Sequence, residues 1–486
     1  MSYLKQAFRL EVNQQIFKAG VILIIFERLL AGFYNFTPGA IDDYINIMDP
    51  ALNNLQTGTS MVSEVYRLPL MPWIAAAIMS VPYKLGFEHP RVLTGFLHGV
   101  LAVFSLWGML GFYRWTQVRF NQDQARYLTL FYGLHFSMAF IATRAYLSSL
   151  AMAVIPWVFV YWEQGRQGKP RALFACALFV SFMVLLRFQL GFIALLFFLY
   201  ACKLFFQKTI TPKQFIEFAA GGVLGVVLLA VIDLLDNRIP LSTVWEYFLI
   251  NVNTHFGESV WGKNPWYTYI GTFLIFALPP FAFLLLPAFL KALQEKSFIA
   301  LIFLLFVISH SLLDTKLERF VFPMVPLFFM MLFSGTLNLS EPWQKLGRLS
   351  FGCIFIFSLL FGLPSATARS QMNVISTAFF LRENPGPSYY FEKIYWMPGF
   401  LGHDRVQPKL VREPGEITIV PEPKFNYFHL TDLSAKDLTE LKDKNIDCKK
   451  AGEFAPDGLE AVVVKLNPKQ NKRRDRVVHY ACERLN

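Results

Sequence analysis

Residues 215–235 read FIEFAAGGVLGVVLLAVIDLL. As one helix this stretch is long enough to cross the roughly 30 Å hydrocarbon core of a bilayer. Lys203, Lys208 and Lys213 precede it, and a long connection, 236–267, follows. Similar apolar runs lie near 19–36, 92–112, 127–143, 146–162, 172–186, 189–206, 268–290, 298–313, 320–337 and 350–367, making eleven in all. A further run, 70–81, is too short to span, is bracketed by Pro72 and Pro82, and reads as a helix lying at the interface. Composition agrees: the chain is 55% hydrophobic and 16% charged, against about 25% charged in soluble domains. Its mean hydropathy is +0.41. The run at 19–36 holds Glu27 and Arg28 and lacks a small-residue cleavage site, so it reads as a spanning helix that stays attached. The expected fold class is an all-α polytopic membrane protein with about eleven transmembrane helices.

Charge sets the orientation. Lys5, Arg9 and Lys18 lie at the N-terminus, and every second connection is short and basic. These are Arg114, Arg119 and Arg126; Arg166, Lys169 and Arg171; Lys203, Lys208 and Lys213; Lys291 and Lys296; Lys345 and Arg348. The positive-inside rule makes them cytoplasmic. Counting 70–81 as a span would put the Arg114–Arg126 loop outside. The opposite side then holds 37–91, 236–267, tight turns at 143–145, 187–188 and 314–318, and the tail. The domains are a membrane part over 1–368 and a small extracytoplasmic α/β domain over 369–486. That domain has strand-like runs at 417–420 and 462–466, and a helix over 435–444 starting from Ser434 and Asp437. The net charge of +11 is accounted for by topology signals and a solvated tail, so no nucleic-acid partner is expected. Cys176, Cys202 and Cys353 lie in apolar runs and form no metal pattern. Cys448 and Cys482 share the tail; a disulfide in an oxidising compartment and two independent thiols are both open readings.

The polar residues hardest to explain as structure collect on the outer side. In the first outer loop Ile41, Tyr44, Ile45, Met48 and Leu52 fall on one helical face, with Asp42, Asn46, Asp49 and Asn53 on the other. Pro50 interrupts any continuous helix, so two short pieces are expected. One reading is an amphipathic surface helix. The other is a carboxylate cluster in which Asp42 or Asp43 is general base for a hydroxyl acceptor. Neighbours on a helix point about 100° apart, so both cannot face one pocket equally. Arg144, Arg187, His255, Lys263, Lys316 and Arg319 supply cations on the same side. Each alone fits a snorkelling anchor; together they suit a lipid phosphate whose leaving-group charge is neutralised. Asn251, Asn253, His255, Trp261, Asn264 and Trp266 add amides and aromatics, common in sugar sites and also at membrane belts.

Taken in order, these segments resemble the Alg9-like mannosyltransferases, glycosyltransferase family 22 of the GT-C superfamily. Asp42-Asp43-Tyr44-Ile45-Asn46-Ile47-Met48-Asp49-Pro50 looks like the family's Asp-Glu element, with Asp43 where Glu is usual. Tyr66-Arg67-Leu68-Pro69-Leu70-Met71-Pro72 is similar to the Arg-rich stretch that follows. Thr143-Arg144-Ala145-Tyr146-Leu147-Ser148-Ser149 resembles Thr-Arg-x-x-Ser-Asn-Ser, with Ser149 replacing Asn in a slightly shifted match. Thr243, Trp245 and Asn251 match Thr-x-Trp…Asn after a preceding Asp, here Asp233. Asn264-Pro265-Trp266-Tyr267-Thr268-Tyr269 resembles His-Pro-Trp-His-Trp-Tyr, both His replaced. Asp314-Thr315-Lys316-Leu317-Glu318-Arg319-Phe320 resembles His-Lys-Glu-x-Arg-Phe, loosened by one residue and without the His. Tyr395-Trp396-Met397-Pro398-Gly399 is faintly like the family's lumenal end.

The resemblance implies a GT-C fold and an inverting, α-linking transfer of mannose from a polyprenyl-phosphate donor to a glycan or glycolipid acceptor at the bilayer. It implies Asp42 or Asp43 as base, and Arg144, Arg187, Lys316 and Arg319 on the donor phosphate. Asp49, Arg67, Asn251, His255, Trp261, Asn264 and Trp266 would contact sugar or acceptor. No cofactor and no catalytic metal are expected. One rival is another polyprenyl-linked sugar, such as glucose or arabinose. A second is a transporter or flippase, which would carry broken helices at the bilayer centre and often an inverted repeat; no repeat is apparent. The location is a bacterial inner membrane with a periplasmic active side, or an endoplasmic reticulum membrane with a lumenal one.

Overall fold

The computed structural model describes residues 10–38, 44–59, 68–250, 263–313, 315–391, 394, 396–403, 405–411, 423–430, 432–456, 458–466 and 476–485. Helix is found in each of the eleven apolar runs. Polar caps start several of these helices: Asn121 before Gln122–Leu134, a Thr211/Gln214 capping box before Pro212–Leu235, and Ser297 before Phe298–Ser311. Among the described residues, Pro90–Arg119, Phe188–Phe206, Pro212–Leu235, Glu318–Leu337 and Glu341–Ala366 are long and apolar enough to cross a membrane. Thr268–Phe276 and Phe281–Gln294, expected as one run, bend by 95° and make a sixth if counted together. The break falls at Pro279 and Pro280, which cannot continue a helix. Ala172–Leu186 and Phe298–Ser311 are apolar but shorter. The run at 127–143 also breaks, at His135, whose ring bonds the Phe276 carbonyl and the Ser137 hydroxyl, each at 2.9 Å.

The chain forms two compact units. The first comprises Met1–Ala31, Ser63–Leu70 and Gly99–Ala366. Its interior is built from aromatic contacts: Phe131 meets Phe329 at 5.3 Å and Phe351 at 4.8 Å, and Trp115 stacks on Phe159 at 4.5 Å. Many of the 51 Phe are used in this way. Val325–Leu337 packs so closely on Leu286–Gln294 that a Cβ on Gly335 would fall 1.9 Å from the Ala288 carbonyl oxygen.

The second unit comprises Gly32–Val62, Met71–His98 and Thr367–Asn486. Its sheet holds β1 (Ser388–Phe391), β2 (Lys409–Val411), β3 (Lys424–His429), β4 (Ile446–Phe454) and β5 (Val477–Arg484), in the order β2-β1-β3-β5-β4. β1 runs parallel to β2 and β3; β5 runs antiparallel to β3 and β4. Cys448 and Cys482 stand opposite each other on β4 and β5 and form a disulfide, with Cα atoms 4.1 Å apart. Ala435–Asp443 begins with the expected Ser434/Asp437 capping box. The strand reading of 462–466 is corrected: these residues end the helix Gly458–Leu466. Tertiary contact overrides the β-branched run there, because Glu460 on the same helix accepts the Gln371 N–H at 2.9 Å. The other strand-like run, 417–420, lies outside the described residues.

The short run at 70–81 is a helix, Leu70–Lys84, with Pro72 in its first turn and Pro82 in its last. The first long connection is two pieces, as Pro50 requires: a π-helical turn, Tyr44–Met48, then the helix Asp49–Thr57. Tyr44, Ile47, Met48, Ala51 and Leu52 are buried. Ile45, expected on the apolar face, is exposed, since the wider turn shifts the face that an uninterrupted α-helix would present.

Candidate active site

In the first unit, the four expected cations stand near helix ends. Ala172–Leu186 stops at Arg187, whose backbone turns extended before the short turn Phe188–Leu190. Its guanidinium donates through Nε to Gln189 Oε1 at 2.7 Å and through Nη1 to the buried Ser148 hydroxyl, at the start of Leu147–Arg166. It also lies over the Phe320 ring, 4.3 Å from the centroid. Arg319 lies over the same ring at 5.8 Å. Two of the four expected phosphate-binding cations therefore share one aromatic platform.

Lys316 is buried and sits differently. Its ammonium donates to the Asn264 carbonyl at 3.0 Å and to the Leu313 carbonyl, while its backbone N–H donates to Asn264 Oδ1 at 3.1 Å. Lys316 and Asn264 thus lock two connections together. Arg144, 1% exposed, lies over the Phe140 ring at 4.4 Å. Burial lowers its pKa to about 9, which leaves it charged at neutral pH. Trp266 is exposed beside Tyr267. The pair Asp233 and Thr243 is real: the buried Asp233 carboxylate accepts the Thr243 hydroxyl at 2.5 Å, and Arg238 donates to that hydroxyl at 3.1 Å.

In the second unit, Asp49 is the centre of a polar cluster. Its Oδ1 accepts from Tyr44 Oη at 2.6 Å, from His403 Nε2 at 3.0 Å and from the Gly399 N–H at 3.1 Å. Because an ionised carboxylate only accepts, Nε2 is the protonated ring nitrogen of His403. Tyr44 in turn accepts the Gly399 N–H at 2.7 Å and stacks on Phe400 at 5.6 Å. Burial, reinforced by the Asp49 carboxylate, pushes the Tyr44 hydroxyl well above its usual pKa and keeps it a donor. Gln56 extends the cluster, accepting the His403 N–H at 2.8 Å and donating to the Gly399 carbonyl at 3.2 Å.

Asp42, Asp43, Arg67, Asn251, His255 and Trp261 lie outside the described residues. Among the described residues, no three His, Cys, Asp or Glu side chains could hold a metal ion. Sequence reasoning missed Ser148, Gln189 and Phe320 as partners of Arg187, and Tyr44 and His403 as partners of Asp49. Ser148 and Phe320 stand inside quoted motifs, where a search for polar partners would reach them. His403 carried no local signal.

The model of the Alg9-like mannosyltransferase family matches residues 51–381, beginning just after Asp49. GPI mannosyltransferase 3 of Debaryomyces hansenii is 22% identical over 459 residues, covering 90% of this chain and 79% of the relative. GPI alpha-1,2-mannosyltransferase 3 of Danio rerio is 26% identical over 184 residues, 36% of this chain and 33% of the relative. Among solved structures, ArnT from Cupriavidus metallidurans bound to undecaprenyl phosphate superposes with a TM-score of 0.56 at 12% identity, over 96% of this chain and 97% of ArnT. The mycobacterial arabinofuranosyltransferase AftD gives a TM-score of 0.51 at 12% identity, over 97% of this chain and 40% of AftD. These structures share the fold. With its family match covering well over half of its length, this chain belongs to the Alg9-like mannosyltransferase family, membrane enzymes that transfer sugars.

Proposed function

We propose that this protein transfers mannose from a polyprenyl-phosphate donor to a hydroxyl of a glycan or glycolipid, with inversion, forming an α-linkage. Asp42 or Asp43 takes the proton of the acceptor hydroxyl as its oxygen bonds to the anomeric carbon. The bond from that carbon to the phosphate oxygen breaks, and the polyprenyl phosphate leaves with its electron pair. Arg144, Arg187, Lys316 and Arg319 neutralise the charge gained by the phosphate. Such a leaving group needs little acid assistance. Asp49, Arg67, Asn251, His255, Trp261, Asn264 and Trp266 contact sugar or acceptor.

The observation that carries this reading is the pairing of Arg187 and Arg319 on Phe320, at the ends of apolar helices, in a chain of a mannosyltransferase family. The fold shared with an ArnT structure bound to undecaprenyl phosphate is consistent with a lipid phosphate as carrier. The topology that goes with it has eleven spans over 1–368 and an extracytoplasmic domain over 369–486. The Cys448–Cys482 disulfide supports an oxidising location for that domain, periplasmic or lumenal.

The test is Asp42→Asn and Asp43→Asn in purified, folded protein. At least one loses transfer by about 10²-fold or more, the scale expected for a positioned base. If both transfer at near the wild-type rate, the base is elsewhere and the mechanism falls.

A further inference from the structure

The first long connection of the second unit is tied to the tail at two places. On one side, the Ser370 hydroxyl donates to the Pro38 carbonyl, and the Ser370 N–H donates to Thr37 Oγ1 at 3.0 Å. Thr37 Oγ1 donates onward to Asn35 Oδ1 at 2.9 Å, and the Asn35 carbonyl meets His98 Nδ1 at 2.7 Å. On the other side stands the Asp49 cluster, fed by Gly399 and His403. Between the two ties lie residues 39–43, which include Asp42 and Asp43.

The tail side of both ties is itself braced. The Gln371 N–H is held by Glu460, and Arg382 donates to the Leu401 carbonyl at 2.9 Å. Gly402, at φ 116°, turns the chain so that His403 follows the helix Pro398–Leu401 and reaches Asp49; that backbone conformation suits glycine alone. Gly399 is equally constrained. A Cβ there would lie 2.7 Å from Leu52 Cδ1, 3.0 Å from Tyr44 Oη and 3.1 Å from Asp49 Oδ1. The faint motif ending in Gly399 thus has a physical reason: its backbone N–H must reach both Tyr44 and Asp49.

We propose that the tail residues Ser370, Gly399 and His403 form a positioning clamp on the segments 35–38 and 44–57, which flank Asp42 and Asp43 in the chain, with Asp49 and His403 as positioning residues and Gly399 as the close-contact point. This inference rests on the reading of Asp42 or Asp43 as base. Asp49 Oδ1 then acts through the segment 44–57 that it ties to the tail. A displacement of about 1 Å at a reacting group is enough to cost on the order of 10²-fold in rate. The clamp therefore bears on kcat, while donor affinity rests on other residues.

The experiment uses the full chain in detergent and measures kcat, donor KM and hydrogen exchange at 44–57 for His403→Ala, His403→Gln and Gly399→Ala. In His403→Ala and Gly399→Ala, kcat falls about 10-fold or more with donor KM unchanged and faster exchange at 44–57. His403→Gln, whose side-chain amide can donate near the place of Nε2, keeps most of the rate. Combined with the inactive Asp variant, His403→Ala adds no further loss, because both act on one step. Full kcat in the Ala variants overturns the proposal whether or not exchange changes, as do fully additive losses. If Asp42→Asn and Asp43→Asn both stay active, the base reading fails and takes the clamp with it. A failure of the clamp alone is recognised by an inactive Asp variant beside fully active His403→Ala and Gly399→Ala.

Discussion

Replacing Arg187 by Ala removes three things at once: a charge near the expected phosphate, a stack on Phe320 at 4.3 Å, and donors to Ser148 and Gln189. The hydrogen bond from a charged donor to phosphate is worth about 1.5–3 kcal/mol. That corresponds to roughly 10- to 150-fold in donor affinity. The cation–π contact adds about 0.5–2 kcal/mol, part of it to folding. Depriving the buried Ser148 of its donor costs about 1 kcal/mol of stability, too little to unfold most domains. Arg187→Ala should therefore raise donor KM at least 10-fold, with acceptor KM within twofold and the protein still folded. Arg187→Lys keeps the charge but loses the planar fork and falls between the two. The assay is initial transfer rate against each substrate in turn. Equal rises in both KM values, or no rise in either, would return Arg187 to the role of a membrane-surface anchor and remove the main support for phosphate binding.

Two further tests concern the two units separately. The ring of His479 is buried, donates from Nε2 to Asn426 Oδ1 at 2.9 Å and stacks on Phe428. Burial pulls its pKa below 6.5, so folding favours the neutral ring. Its contribution to stability is complete above pH about 6.5, the unfolded value, and is lost as pH falls from there toward the lower folded value. Protection of β3–β5 against hydrogen exchange, taken relative to the intrinsic rate at each pH, should fall between pH 7.5 and 5.5 in the wild type and change less in His479→Gln; equal pH dependence of the two contradicts the assignment. In the first unit, Gly335→Ala places a methyl group against the Ala288 carbonyl and should cost about 1–3 kcal/mol or block folding, read as a lower melting temperature in detergent. An unchanged melting temperature would mean that these helices separate freely.

Much of the architecture was legible because each unit of it is local. An apolar run fixes a helix by composition, Pro50 divides the first connection by removing a donor, and Ser434 with Asp437 starts a helix through bonds three residues apart. What stayed hidden depends on partners far along the chain. Residues 462–466 look like a strand until the contact of Glu460 with Gln371, 89 positions away, is known. The bond between His403 and Asp49 spans 354 positions, so nothing near Asp49 announces it. Lys316 and Arg187 are alike as cations at helix ends, yet one is tied to backbone carbonyls and the other lies on an aromatic ring. No local pattern separates the two.

A lipid-phosphate sugar donor is what the family membership and the paired arginines point to. The direct measurement is transfer of labelled sugar by the purified protein to a panel of glycan and glycolipid acceptors. Polyprenyl-phosphate mannose, polyprenyl-phosphate glucose, polyprenyl-phosphate arabinose and GDP-mannose are offered separately. The expected result is α-linked product from polyprenyl-phosphate mannose alone, with free polyprenyl phosphate released in equal amount. Product from GDP-mannose with none from any polyprenyl-phosphate sugar would contradict it.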